Sequence, residues 1–180
     1  MDSTYAGRWV NLGYLYFQLS QFKEAELALK KSLQLDSSNF GALNTLSKLY
    51  VNTNRFMDAE YVLLRCVELD STYVVPWNNL GAFYLQRQRY DDAELILNKA
   101  IVLDPNFANP RKHLGMICFR NNRREEARQN FQKALELNPS YIGAMRGMAY
   151  LLQSEGKTDQ AIGYAEQAIV KGSTFQQLEN

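Results

Sequence analysis

The chain repeats itself every 34 residues. Set in register at that period it gives five units without an insertion, 6–39, 40–73, 74–107, 108–141 and 142–175, and leaves a tail of 176–180. A fixed period of roughly 20–50 residues restricts a chain to an array of small supersecondary units, each unable to bury its apolar face alone. The segment WNNLGAFYL shows the recurrence: Trp77, Leu80, Gly81 and Tyr84 restate Trp9, Leu12, Gly13 and Tyr16 two periods earlier.

The columns of this register have a physical meaning. The seventh slot holds Leu12, Leu46, Leu80, Leu114 and Met148, and the eighth is small throughout: Gly13, Ser47, Gly81, Gly115, Ala149. The fourth and eleventh slots carry mostly bulky residues, Trp9 and Trp77 or Tyr16, Tyr50 and Tyr84. Slots four, seven, eight and eleven lie on one face of a helix. A second stretch places Ala25, Ala59, Ala93, Ala127 and Ala161 in the twentieth slot. Between the two stretches lie Ser20, Asn54, Gln88 with Arg89, Asn122 and Gly156, residues that suit turns. Each unit reads as two antiparallel helices joined by a short turn. The small eighth slot and the alanine column are expected to let the two backbones approach closely. Acids open each second helix (Glu24, Asp58, Asp91 and Asp92, Glu125 and Glu126, Asp159), where exposed backbone amides favour negative charge.

The 34-residue period, the W-x-x-L-G-x-x-Y run, the invariant alanine, and the LDP of 103–105 and LNP of 137–139 together resemble the tetratricopeptide repeat family. The resemblance covers nearly the whole chain. Unit four departs from the pattern with Arg111 and Cys118, and unit five with Leu152 and Ser173. The resemblance implies an all-α fold, a right-handed superhelical solenoid of antiparallel helix pairs forming a single domain over 1–180. It implies that the first helices line a concave face and the second helices a convex one.

It also implies a ligand-binding groove at the second, fifth, ninth, twelfth and thirteenth slots of the first helices. The candidate site residues on those slots are Tyr14, Phe17, Asn44, Lys48, Asn52, Asn78, Lys112, Met116, Phe119, Arg120, Arg146 and Tyr150. Charge supports this choice. The first fourteen residues of the five units hold seven basic side chains (Arg8, Lys48, Arg87, Arg111, Lys112, Arg120 and Arg146) against one acid, Glu155. A concave surface of one sign concentrates oppositely charged ligands. Lys48, Lys112, Arg120 and Arg146 are expected to supply charge, Tyr14, Phe17, Phe119 and Tyr150 apolar pockets, and Asn44 and Asn78 hydrogen bonds to a ligand backbone. The two-carboxylate clamp by which some relatives hold chaperone tails is not matched in any frame.

The expected function is therefore a protein-interaction scaffold that binds an acidic or extended peptide segment. The alternatives are a substrate-recruiting arm of a larger enzyme such as a glycosyltransferase, and a scaffold that self-assembles through exposed array ends, where Ile162 and Ile169 stand. No catalytic residue, metal ligand or cofactor site is expected. The one histidine, His113, and the nearest thiol, Cys118, point roughly 140° apart on a helix. Cys66 and Cys118 make neither a disulfide framework nor a zinc site. The net charge is +1, which gives no argument for nucleic acid. No membrane insertion is expected, because no apolar run approaches the roughly 20 residues of a span. A signal peptide is not recognisable, and the expected location is cytoplasmic.

Overall fold

The protein is described by a computed structural model covering residues 3–178, with side-chain surroundings for 5–172. Ten helices and no strands occur among these residues. The first helices of the units are α1 (Ser3–Gln18), α3 (Phe40–Asn52), α5 (Val74–Gln86), α7 (Ala108–Arg120) and α9 (Ile142–Ser154). The second helices are α2 (Phe22–Leu35), α4 (Phe56–Leu69), α6 (Tyr90–Leu103), α8 (Arg124–Leu137) and α10 (Thr158–Leu178). The fold class is all-α, a solenoid of antiparallel helix pairs. Of the expected tail, 176–178 form the last turn of α10, and 179–180 lie outside the described residues, as do the surroundings of Ser173.

The turn inside each pair is the same five times. Its apex residue is left-handed: Ser20 (φ 58°), Asn54 (59°), Gln88 (59°), Asn122 (58°) and Gly156 (75°). The following N–H donates five residues back, from Gln21 to Tyr16, Arg55 to Tyr50, Arg89 to Tyr84, Arg123 to Cys118 and Lys157 to Leu152, at 2.7–3.0 Å. This closure satisfies carbonyls that a helix C-terminus otherwise leaves unpaired, and glycine suits its apex best. Gln88 is the long side chain among the five and gains nothing from the left-handed conformation. Gln88→Gly is therefore expected to stabilise the protein by about 0.5–1 kcal/mol, the relief of strain exceeding the entropy that glycine adds to the unfolded chain. A urea-denaturation midpoint that falls would contradict this.

The turns between pairs also share one device. Asp36, Asp70, Asp104 and Asn138 each accept from the backbone N–H two residues on, at 2.9–3.0 Å. Such turns mimic a backbone turn and stop the helix before them.

The chain forms two compact units, residues 1–80 and 81–180. In the first, α2 packs on α1 and α3, and α3 packs on α4, with Ala25 and Ala59 fully buried. In the second, α7 packs on α6 and α8, and α9 packs on α7, α8 and α10. There Ala93 and Ala127 are fully buried. The small eighth slot also takes up a large side chain. A side chain at Gly13, Gly81 or Gly115 would meet Leu29, Leu97 or Phe131 at 2.6 Å, so each glycine receives the large residue four positions after the alanine. At Gly13 the alanine backbone also comes close, with the Ala25 carbonyl 3.3 Å from such a Cβ. Trp9 and Trp77 are half-buried, and the indole N–H of Trp77 donates to the Ser71 carbonyl at 3.0 Å.

Charged side chains on the second helices are used for ties between neighbouring pairs. Glu26 accepts from Tyr50 Oη at 3.0 Å and Arg55 Nη1 at 2.7 Å, and it also pairs with Lys30 at 2.8 Å. Burial alone would raise its carboxyl, but bonds from Lys30, Arg55 and Tyr50 outweigh that and hold it below 4.5. Arg123 pairs with Glu94 and Arg128 with Glu155, both at 2.6 Å, as further ties of this kind in the second unit.

Candidate functional site

In the second unit, α7 and α9 bring six of the expected site residues around one cavity of about 720 Å³. These are Lys112, Met116, Phe119 and Arg120 from α7, with Arg146 and Tyr150 from α9. They meet because slots five, nine, twelve and thirteen recur near every third or fourth residue and so share a helix face. Gln153 and Ser154 complete the far wall. The base is made by Gly143, Gly147 and Phe131, the last of these reaching up from α8.

The base has a specific cause. Phe131 occupies the position where Leu29, Leu63 and Leu97 stand in earlier repeats. Its ring is wedged between two glycines: a Cβ on Gly115 would lie 2.6 Å from it, and one on Gly147 would strike it as well. Gly147 falls in the slot that holds Asn11, Thr45, Asn79 and His113 elsewhere. The larger residue on α8 is thus matched by the loss of a side chain on α9. Phe131 and Gly147 were not among the residues expected from sequence. The signal was present as a paired size exchange between adjacent repeats, which a column-by-column reading does not compare.

The electrostatics of the cavity are one-sided. Lys112, Arg120 and Arg146 make no ion pair among the described residues, and no acid lines the cavity. By contrast Arg55, Arg89, Arg123, Arg128, Lys30, Lys133 and Lys157 are all paired. Burial, with no carboxylate to offset it, pushes the Lys112 ammonium down to about 8. Burial and the adjacent Lys112 charge push His113 down to about 3, so it is neutral at physiological pH. Arg111 does not face the cavity; its Nη1 donates to Asn130 Oδ1 at 3.4 Å and its buried Nε has no partner. Arg8 lies over the Tyr5 ring, 5.2 Å from the centroid.

The first unit holds the other expected residues in a different arrangement. Asn78 Nδ2 donates to Asn79 Oδ1 at 3.4 Å, and Asn79 Nδ2 donates to Asn44 Oδ1 at 3.0 Å. These amides satisfy one another, and Asn78 is only 5% exposed, so in this arrangement its amide does not face solvent where a ligand backbone would lie. Lys48, Asn52 and Tyr14 are exposed, while Phe17 is half-buried against Phe22 with ring centroids 6.1 Å apart. A hollow of about 200 Å³ lies beside Asn44 and Asn79.

Cys66 and Cys118 are buried, and burial raises both thiols, Cys66 to about 11. Among the described residues no group of three His, Cys, Asp or Glu side chains is placed to hold a metal, and no helix is long and apolar enough to cross a membrane.

Comparison with known proteins bears on this geometry. Tetratricopeptide repeat family profiles match residues 6–39, 75–107 and 108–141, more than half of the chain. No curated protein sequence matches. Among solved structures, MamA is 25% identical with a TM-score of 0.68, covering 92% of this chain and 97% of its own. Pseudomonas aeruginosa pilF is 24% identical with a TM-score of 0.80, covering 93% and 77%. TTC0263, described as a thermophilic TPR protein in Thermus thermophilus, is 19% identical with a TM-score of 0.81, covering 97% and 95%. At these identities the last two speak to fold alone.

Proposed function

Because the chain belongs to the tetratricopeptide repeat family, we propose that it is a protein-interaction scaffold whose second unit holds an acidic segment of a partner against α7 and α9. The observation that carries this reading is the contrast in pairing. The arginines that tie neighbouring helix pairs together are neutralised by carboxylates, while Lys112, Arg120 and Arg146 stand unpaired around one cavity. Three cations left without counter-charge favour an anionic ligand, and the arrangement supplies long-range attraction as well as contact. Within the first unit, Lys48, Asn52, Asn44 and the aromatic Tyr14 and Phe17 offer a second, weaker surface of similar chemistry.

Selection from an unbiased displayed-peptide library tests the reading. Enriched peptides are expected to be rich in Asp and Glu. A set with no acidic bias would contradict the reading.

Lys112 gives the binding a pH signature. Its folded value of about 8 lies below the ordinary 10.5, so between these values the unfolded chain carries more protons, and the protein's own stability rises with pH across that window. Anion binding has the opposite dependence, because it needs the ammonium that is lost above about 8. Guanidinium groups in general do not titrate in this range, and His113 is already neutral. Affinity for an acidic peptide is therefore expected to fall as pH rises through about 8, measured by calorimetry, with Lys112→Arg abolishing the fall.

A further inference from the structure

We infer that the cavity between α7 and α9 is an anchor site for one large apolar side chain carrying a carboxylate close beside it. The inference rests on the acidic-segment reading above and makes it specific.

Two glycines open the site. Gly143 and Gly147 lie one turn apart on α9, and at the base of the cavity only the Phe131 ring from α8 stands beside them. Gly147, in the interior of α9, costs roughly 1 kcal/mol relative to alanine. Packing explains Gly147, whose Cβ would strike Phe131. It does not explain Gly143, where a Cβ would meet Tyr141 at 3.3 Å and the Lys112 stem at 3.6 Å, contacts a small shift would relieve. What Gly143 leaves is volume. The cavity of about 720 Å³ falls within the roughly 300–1,000 Å³ typical of clefts that bury a ligand.

The walls fit an apolar group. Met116, Phe119 and Tyr150 line the space, a flexible thioether and two aromatic rings, with Tyr150 54% exposed. The lining also fits an anion, for Lys112, Arg120 and Arg146 border the same cavity. Among the lining residues only Gln153 carries a side-chain amide. The slot that carries Asn79 in α5 carries Gly147 in α9, so no amide stands where the first unit has one. The second unit thus selects by side chain and charge.

Three probes separate the contributions. 3-Phenylpropionate carries both the ring and the carboxylate, propionate only the carboxylate, and phenethylammonium the ring with opposite charge. The readout is the methyl resonance of Met116 in the full chain labelled at methionine, with Met57, 81% exposed on α4, as reference. 3-Phenylpropionate is expected to shift Met116 saturably and leave Met57 in place. Propionate should bind at least about tenfold more weakly and phenethylammonium more weakly still. Gly143→Val, which puts a branched side chain into the cavity away from Phe131, should weaken 3-phenylpropionate at least about tenfold. In the wild-type chain, phenyl protons should give nuclear Overhauser contacts to Met116 and Phe119, a result that does not depend on the variant folding. Equal binding of the cationic and anionic aromatic probes, unchanged binding by folded Gly143→Val, or absence of those contacts would overturn the anchor site. If 3-phenylpropionate leaves Met116 unmoved while library peptides still depend on Lys112 and Arg146, the anchor is wrong and the acidic-segment reading stands. If the peptides show no such dependence either, both fall.

Discussion

Phe131→Ala is expected to destabilise the protein by about 3–5 kcal/mol, a large share of the stability of an ordinary domain. The ring is 1% exposed and is held on two sides by glycines, Gly115 on α7 and Gly147 on α9. Cavities cost most where neighbours cannot relax into them. Glycines have no side chain to move, and the buried Cys118, Met148 and Leu151 of the same cluster are already packed. The converse changes are costly too. Gly147→Ala drives a Cβ into the edge of the Phe131 ring, and the overpacking is expected to cost about 1–3 kcal/mol despite alanine's better helix propensity. Phe131→Leu should recover much of the Gly147→Ala loss, because leucine is what the earlier repeats carry. Urea denaturation of the two single variants and the double variant gives the coupling directly. A Phe131→Ala loss under about 1 kcal/mol, or strict additivity of the pair, would contradict this packing.

Lys112→Glu combined with Arg146→Glu is expected to weaken binding of a library-selected acidic peptide at least about 100-fold, or about 2.7 kcal/mol. Two attractive charges become two repulsive ones beside Arg120, and like charges across an interface cost several kcal/mol. The wild-type affinity should fall as salt is added, and the double variant should lose that dependence. The right control is an exposed cation on a second helix that holds no partner in place. Lys30 is unsuitable, since it pairs with Glu26 at 2.8 Å, whereas Lys31 is exposed beside it. Lys31→Glu should leave binding nearly unchanged. Thermal midpoints of all variants confirm that the folded chain is being compared. Equal loss in Lys31→Glu would remove the special role of the α7 and α9 cations.

Much of the fold was legible because each slot does one job five times. Ser20, Asn54, Gln88, Asn122 and Gly156 share an unremarkable polar or small character, and all five take the same left-handed conformation. The alanine column reads as buried and is buried. The cations and aromatics of α7 and α9 that converge on the cavity follow from helical spacing and the family resemblance. What escaped the sequence is pairwise. The exchange of Leu for Phe at 131 against the loss of a side chain at Gly147 is visible only when neighbouring repeats are compared. Asn78 and Asn79 look alike in the sequence, yet one is buried and the other bonds Asn44, because adjacent residues on a helix point about 100° apart. Arg111 shares a stretch with Lys112 but turns to Asn130 on α8. Which cations are unpaired could not be read at all, since it depends on where Glu26, Glu94 and Glu155 reach.

The most direct measurement is paramagnetic broadening by a spin-labelled acidic peptide, read at the methionine methyl groups of the wild-type chain. A peptide lying on α7 and α9 broadens Met116, which lines the cavity, and leaves Met57 on α4 sharp. Broadening at Met57 with Met116 untouched would place the acidic ligand elsewhere and contradict the account.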